Sequence, residues 1–306
     1  MVRERLDILA LPLADVRATM AGIVALMNDG TYDGFVQRHM NAMMVPMPAG
    51  SQANQAHRGP IFLPWHRASL WEFETKWLAT PAVSARPSLT GFPYWRWESE
   101  AALNGGSPLQ SKVWTTDYFG GDGVATSQNR VLDGPFTGWK AWIYSSTNKS
   151  YYRRGVTGVV RKIGRDSAGV PTLPDQAQVN DTFTYTRYDV APYNYDSQSF
   201  RGRMEGWASG VRMHNQVHRW VGGDFIVGTS PNDPVFWFHH ANVDRLWWRW
   251  QIRSTPIRPY QRSGDVYPEG HRPADVMQGL LNINGPWTPA AVEDIRLAPL
   301  GYSYVQ

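Results

Sequence analysis

Residues 230–245 read Ser230-Pro-Asn-Asp-Pro-Val-Phe-Trp-Phe-His-His-Ala-Asn-Val-Asp-Arg245. Pro234 is pre-shaped for a first helical position, and Asn232 or Asp233 before it can cap the free backbone N–H groups. The spacing therefore predicts a helix that runs to about Gln251. At its centre, His239 and His240 sit among Phe236, Trp237, Phe238 and Trp247, where an imidazole is buried and both ring nitrogens need partners. Adjacent helical residues point about 100° apart, so the two rings cannot serve one ion in equivalent ways. One is expected to be a ligand and the other a hydrogen-bonded or packing residue, and position alone leaves open which.

Working outward, helical periodicity covers about Ser199 to Val221, closed by Gly222 and Gly223. Within it, His214-Asn-Gln-Val-His218 places two imidazoles at i and i+4, one turn apart on one face. Asn215 stands where a zinc protease would carry glutamate. Upstream, a first helix is predicted from about Asp15 to Asn28, with Gly30 as its stop. A second, from about Asp33 to Met43, carries His39. Pro64 opens a third that continues to Leu78, with His66 in its first turn and His57 in the loop before it. From about Ser99 to Gln198 periodicity is lost, Gly and Pro recur, and short β-like pieces such as Phe183 to Tyr188 appear. The expected architecture is mainly α: a helical core with long loops and minor β pieces, arranged as one domain over residues 1–306.

Composition narrows the chemistry. Among the 306 residues there is no cysteine, which removes disulfides, thiolate ligands and thiol nucleophiles. Charged residues are 18% of the chain, below the roughly 25% of an average soluble protein, as suits a compact enzyme. The net charge is +4, but Lys149, Arg153, Arg154, Arg161, Lys162 and Arg165 lie in a Gly- and Ser-punctuated stretch that reads as a solvated loop. It does not read as a nucleic-acid surface. No window approaches a membrane span, and the first thirteen residues do not read as a signal peptide. The expectation is a cytoplasmic protein, or one secreted with the help of a partner. Fifteen Trp and fourteen Tyr can wall a pocket for an aromatic molecule, although composition alone favours the plainer reading of an aromatic-rich core.

Three histidines precede residue 70 and four more fall between 214 and 240, with no thiol or obligatory carboxylate beside them. Imidazole-only sites suit Cu, Zn, Fe and Ni. Two such sites side by side suit dioxygen, because each of two coppers can give one electron. A mononuclear zinc site is the structural competitor.

At these residues the chain resembles the tyrosinase family, which also contains catechol oxidases, o-aminophenol oxidases and haemocyanin-like oxygen carriers. The likeness rests on His57-Arg-Gly-Pro-Ile-Phe-Leu-Pro-Trp-His-Arg67, on His214-Asn-Gln-Val-His-Arg-Trp-Val-Gly-Gly223 and on the quoted stretch 230–245, with a looser match at Gly301-Tyr-Ser-Tyr304. It implies a four-helix bundle that holds two copper ions, the first by His39, His57 and His66 and the second by His214, His218 and His240. His239 is then structural, and His271, outside every motif, reads as a surface residue. Relatives often join a cysteine to the second histidine of the first site. Here Gln55 lies two residues before His57 and no cysteine exists, which puts the chain nearer the bacterial tyrosinases.

The resemblance also implies ortho-hydroxylation of monophenols and oxidation of o-diphenols to o-quinones. Oxidation of o-aminophenols or catechols alone is the runner-up, and oxygen carriage is a third reading. Glu205 and Asn215 match positions proposed to hold the water that takes the phenol proton, and Arg219 and Gly228 fall near the entrance. Many relatives carry a lid domain after the core. This chain ends soon after Tyr304, so an accessible site without a C-terminal lid is expected. Some bacterial relatives receive copper from a small helper protein, which makes such a partner an expectation here too.

Overall fold

The computed structural model describes residues 2–100, 107–165, 170, 172–208 and 210–305. Parts of the expected long loop region, 101–106, 166–169 and 171, lie outside the described residues. Along the chain run β1 (Arg3–Arg5), α1 (Leu13–Asn28), α2 (Thr31–Met44), α3 (Phe62–Leu78), α4 (Pro81–Ser84) and α5 (Trp97–Glu100). Then follow β2 (Trp142–Ser145), β3 (Ser150–Arg153), α6 (Gln176–Phe183), α7 (Phe200–Glu205), α8 (Met213–Val221), α9 (Val235–Gln251) and β4 (Tyr302–Tyr304). The architecture is mainly helical, with one short parallel pair, β1–β4, and one hairpin, β2–β3.

The centre is the α3–α9 pair. All but two of the 17 residues of α9 are buried, as are all but three of the 17 of α3, so neither shows the single apolar stripe of a surface helix. Phe73 of α3 stacks on Trp237 of α9, ring centroids 3.9 Å apart. Beside them Arg67 donates to Asp244 Oδ1 at 2.5 Å, with its guanidinium 3.5 Å over the Trp247 ring. Asp244 Oδ2 accepts from the Tyr302 and Tyr304 hydroxyls and from Arg5, and Arg5 also forks onto Glu74 of α3. The two edge strands are thereby pinned to the two central helices by one buried charge network. Satisfying every member of such a network is what makes burying it tolerable.

The start of α9 falls one residue later than the sequence reading: Pro234 is the N-cap and Val235 the first helical residue. Asp233 accepts from the Val235 N–H at 3.2 Å, and its carboxylate is also forked by the buried Arg161 at 2.6 and 2.8 Å. This overturns the solvated-loop expectation for the arginines of the basic stretch, while Lys149 stays exposed. Arg161 is fully buried, Arg154 pairs with Asp224, Arg153 with Asp33 and Arg165 with Asp122. Partners distant in sequence consume the charge.

Three further expectations are corrected. The helix expected over 199–221 is two helices, because Gly206 turns left-handed (φ 95°) and a Cβ there would lie 2.0 Å from the Arg212 carbonyl oxygen. The third helix starts at Phe62, so Pro64 is its third residue and His66 lies in its second turn. The β-like piece 183–188 is the end of α6 followed by irregular chain, and the hairpin forms instead at Trp142–Ser145 and Ser150–Arg153.

Asp244 and Glu74 carry a pH signature. Burial opposes their ionisation, but Arg67 and Arg5 beside Asp244, and Arg5 beside Glu74, outweigh it and hold both below their ordinary 3.8 and 4.5. A depressed carboxyl stabilises the fold above its unfolded pKa and loses that contribution as pH falls through its folded value. We expect Asp244→Asn to cost about 3–5 kcal/mol at neutral pH, since it leaves two guanidiniums short of a partner. The gap in thermal stability between wild type and variant should narrow as pH drops below 3.8. A gap that stays constant from pH 7 to pH 3 contradicts this account.

Candidate metal centre

Histidines from four helices and one loop meet between α2, α3, α8 and α9. One nitrogen each of His39, His57 and His66 lie within 4.8 Å of one another, and so do one nitrogen each of His214, His218, His239 and His240. The two groups adjoin: the His66 and His240 rings stack at 4.2 Å, and the His57 and His214 ring centroids are 6.1 Å apart.

Backbone carbonyls orient most of these rings. His39 Nδ1 donates to the Gly228 carbonyl at 2.7 Å, His66 Nδ1 to the Phe62 carbonyl at 2.8 Å and His218 Nδ1 to the Phe225 carbonyl at 2.5 Å. His214 Nδ1 lies 3.0 Å from Asn215 Oδ1 and 3.3 Å from the Glu205 carbonyl oxygen. A carbonyl only accepts, so each bonded Nδ1 carries the proton and each Nε2 presents a lone pair. Second contacts of this kind orient metal-ligating imidazoles and fix their tautomer. His57 is placed by an Asn54 turn, in which the Asn54 side chain accepts the His57 N–H at 2.7 Å and the Asn54 N–H returns to the His57 carbonyl.

The electrostatics agree with neutral rings. Burial pushes His39 down to about 4 and His218 down to about 3, against the upward pull of their carbonyl bonds. Burial, followed by the neighbouring imidazoles, holds His57, His214 and His240 well below 6.5, and burial does the same for His66 and His239. His39 Nε2 and His66 Nε2 then face each other across 3.4 Å, both with lone pairs. This is a repulsive contact unless a cation sits between them. The Nε2 atoms of His214 and His218 and both ring nitrogens of His240 are buried without a hydrogen-bond partner. A set of orphaned neutral imidazole nitrogens with no thiolate or carboxylate among them fits a borderline transition metal such as copper.

His239 is fully buried and packed against Trp97, His214 and Phe225, in keeping with the packing alternative, although neither ring nitrogen has a hydrogen-bond partner and one lies close enough to join the second group. One histidine departs from the sequence reading. His271, expected at the surface, is fully buried. Its Nε2–H donates to the Met47 carbonyl at 2.7 Å and its Nδ1 accepts the Ile61 N–H at 3.2 Å, so it clamps both ends of the loop that carries His57. No motif flags that role. The nearest sequence signal is that His271 stands beside Gly270 and close to Pro268 and Pro273, in a stretch where a turn can fold back on the core.

A cavity of about 240 Å³ reaches His39, His57, His214 and His218, with Asn215 and Arg219 also on its wall. Glu205 lies behind this wall, fully buried: its carboxylate accepts the Arg58 N–H at 2.7 Å and Arg201 Nη1 at 3.1 Å. Burial raises its pKa, and the Arg201 ion pair works against the rise. Gly228 touches the site through its backbone, because its carbonyl holds His39 and a Cβ there would lie 2.3 Å from Met40 Sδ.

A helical core with two facing histidine groups is an arrangement that could hold two metal ions through imidazole alone. Residues 29–253 match the model described as the common central domain of tyrosinase, and the chain belongs to the tyrosinase family. It is 38% identical to a tyrosinase of Streptomyces antibioticus over 93% of this chain and 94% of that one. It is 30% identical to grixazone synthase of Streptomyces griseus over the full length of both. In fold it is similar to a polyphenol oxidase variant from Thermothelomyces thermophila, with a TM-score of 0.71 at 21% identity, covering 100% of this chain and 89% of that one.

The Gly228 contact makes a specific prediction. In Gly228→Ala the new methyl collides with Met40 and displaces the carbonyl that orients His39, so copper affinity at the His39 group should fall about 10- to 100-fold. Chelator competition on the copper-loaded protein measures it. Equal weakening of both groups, or none, contradicts the assigned role of Gly228.

Proposed function

We propose that this chain is a type 3 copper polyphenol oxidase that hydroxylates monophenols at the ortho position and oxidises o-diphenols to o-quinones. His39, His57 and His66 would hold one copper, and His214, His218 and His240 the other. The observation that carries this reading is the set of orphaned imidazole nitrogens converging beside a cavity that opens to solvent, in a chain similar over nearly its whole length to a bacterial tyrosinase. The chemistry that bound copper supplies is electron transfer to dioxygen, one electron from each ion. The overall reactions balance as one monophenol and one dioxygen giving one o-quinone and one water, and as two o-diphenols and one dioxygen giving two o-quinones and two waters.

The protein's own groups set up the reaction. The carbonyl bonds to Nδ1 hold the His39, His66 and His218 rings in the tautomer whose Nε2 is free for a metal, so these three need not reorient or lose a proton on metal binding. Phe62, Phe225 and Phe236 pack against the histidines and keep the ligand shell dry. Asn215 on the cavity wall and the Glu205 carboxylate behind it form a polar pair that can hold one water, through which a monophenol hydroxyl loses its proton. A diphenol ionises more readily and depends on this step less. Oxygen carriage would use the same imidazoles. The rim of Ile226 and Val227, 43% and 51% exposed, leaves room for a phenol to enter and favours turnover.

Replacing Asn215 with Leu, or Glu205 with Gln, should lower kcat/KM for a monophenol at least tenfold more than for its o-diphenol, with copper content retained. Equal losses on both substrates remove the pair from the proton-transfer step. A wild type that turns over o-aminophenols but no monophenol replaces the hydroxylase reading with the aminophenol oxidase one.

A further inference from the structure

One ring leads out of the histidine cluster into a continuous run of indoles and phenols. Phe236 packs on His240 and His39, with ring centroids 4.2 and 5.0 Å apart, and Trp237 follows it on α9 at 5.0 Å. The Trp237 Nε1–H donates to the Tyr32 hydroxyl at 3.1 Å, and the Tyr32 ring meets Trp139 at 5.2 Å. The Arg153 guanidinium lies over both Trp139 and Trp142, 4.5 and 4.3 Å from their rings. Trp142 then meets Tyr151 at 6.5 Å, and Tyr151 meets Tyr144 at 5.1 Å across the β2–β3 hairpin. Burial declines along the run. Trp237 and Tyr32 are buried, Trp142, Tyr144 and Tyr151 are partly exposed, and the adjoining Tyr152 is 53% exposed.

Packing alone accounts for buried aromatic rings beside the site. It does not account for a run of oxidisable rings that continues as far as the surface. Trp65 and Trp97 also touch histidine rings, yet neither meets a further indole or phenol ring among the described residues. In a chain without cysteine, indole and phenol give up one electron most readily, and electron transfer slows steeply with distance, so rings in contact define the fast route. The groups beside the run suit this use. Tyr32 donates its O–H to the Pro231 carbonyl at 2.6 Å, which takes no proton, so Tyr32 bridges two indoles instead of holding a radical. The Trp139 and Trp142 N–H groups face no acceptor, so these indoles can lose an electron and keep the proton. Asp33 forks onto Arg153 at 2.7 and 2.8 Å and offsets the charge that would oppose a passing positive hole.

Resting on the polyphenol oxidase reading, we propose that Trp237, Tyr32, Trp139 and Trp142 connect the histidine site to Tyr144 and Tyr151 as an electron path. It reduces the site from the surface when dioxygen has reacted and no phenol is bound, which spares the histidines from oxidation. In each transfer a hairpin tyrosine gives one electron inward and its O–H proton to water. The tyrosyl radical is restored by a hydrogen atom from a reductant in solution, a phenol or ascorbate. Four transfers, with four protons drawn from water, reduce one dioxygen to two waters.

The copper-loaded protein, treated with hydrogen peroxide and no phenol, tests this by freeze-quench electron paramagnetic resonance and peptide mapping. The wild type should show a tyrosyl radical that Tyr144→Phe/Tyr151→Phe abolishes, with oxidation concentrated on residues 142–153 and the ligand histidines intact. Trp139→Phe keeps a ring but interrupts the path. Its radical yield should fall and histidine oxidation should rise severalfold, while copper content and initial o-diphenol turnover stay at the wild-type level. Trp248→Phe, at a ring that meets Arg296 and no other aromatic ring among the described residues, should change neither readout. A Trp139→Phe protein with wild-type radical yield and histidine oxidation overturns the inference and leaves the oxidase reading intact. Should Trp139→Phe fail to hold copper, a radical signal that survives in the double tyrosine variant overturns it equally. A copper-loaded wild type that oxidises no phenol overturns the oxidase reading and the inference with it.

Discussion

Two nitrogen lone pairs, on the buried side chains of His39 and His66, face each other across 3.4 Å. The rest of the molecule is organised around making that contact tolerable. Each ring donates its Nδ1–H to a backbone carbonyl, but its Nε2 meets no donor, and an unmet buried acceptor costs about 1–3 kcal/mol. A bound cation converts the same arrangement into a gain. The geometry is therefore paid for by the scaffold and returned by the metal, which is the logic of a preformed site.

The scaffold holds the site from several directions. Arg67 and Asp244 tie α3 to α9 one residue after His66 and four after His240. Arg161 and Asp233 fix the start of α9, and the Arg5–Glu74 fork anchors an edge strand to α3. His271 closes the loop of His57 from the far end of the chain. These contacts are buried, charge-assisted or both, so the ligand-bearing elements have few alternative positions. The cavity side differs. Its rim includes partly exposed side chains, and two of them, Arg58 and Arg219, have no ion-pair partner among the described residues.

Local signals made part of this legible. Asp233 and Pro234 announce the start of α9, and the i, i+4 spacing of His214 and His218 announces that they share a face; both appear in the structure because they depend on a few neighbouring residues. What depends on distant partners was hidden. Arg161 reads as loop charge until Asp233, seventy-two residues on, is placed against it. His271 reads as surface until the Met47 carbonyl arrives from 224 residues away. The break at Gly206 was hidden because the helical period of 199–221 continues on both sides of it, and only the approach of the Arg212 carbonyl makes glycine necessary. The adjacent pair His239-His240 was ambiguous in sequence, and both rings join the second group in the fold.

The most direct test of the central claim is metal analysis combined with X-ray absorption on the copper-reconstituted protein. The account predicts two coppers per chain, each bound through imidazole nitrogens, with the two ions about 3.5–4 Å apart as is usual for coupled pairs. One tightly held zinc per chain, or copper bound without a second copper nearby, would contradict it.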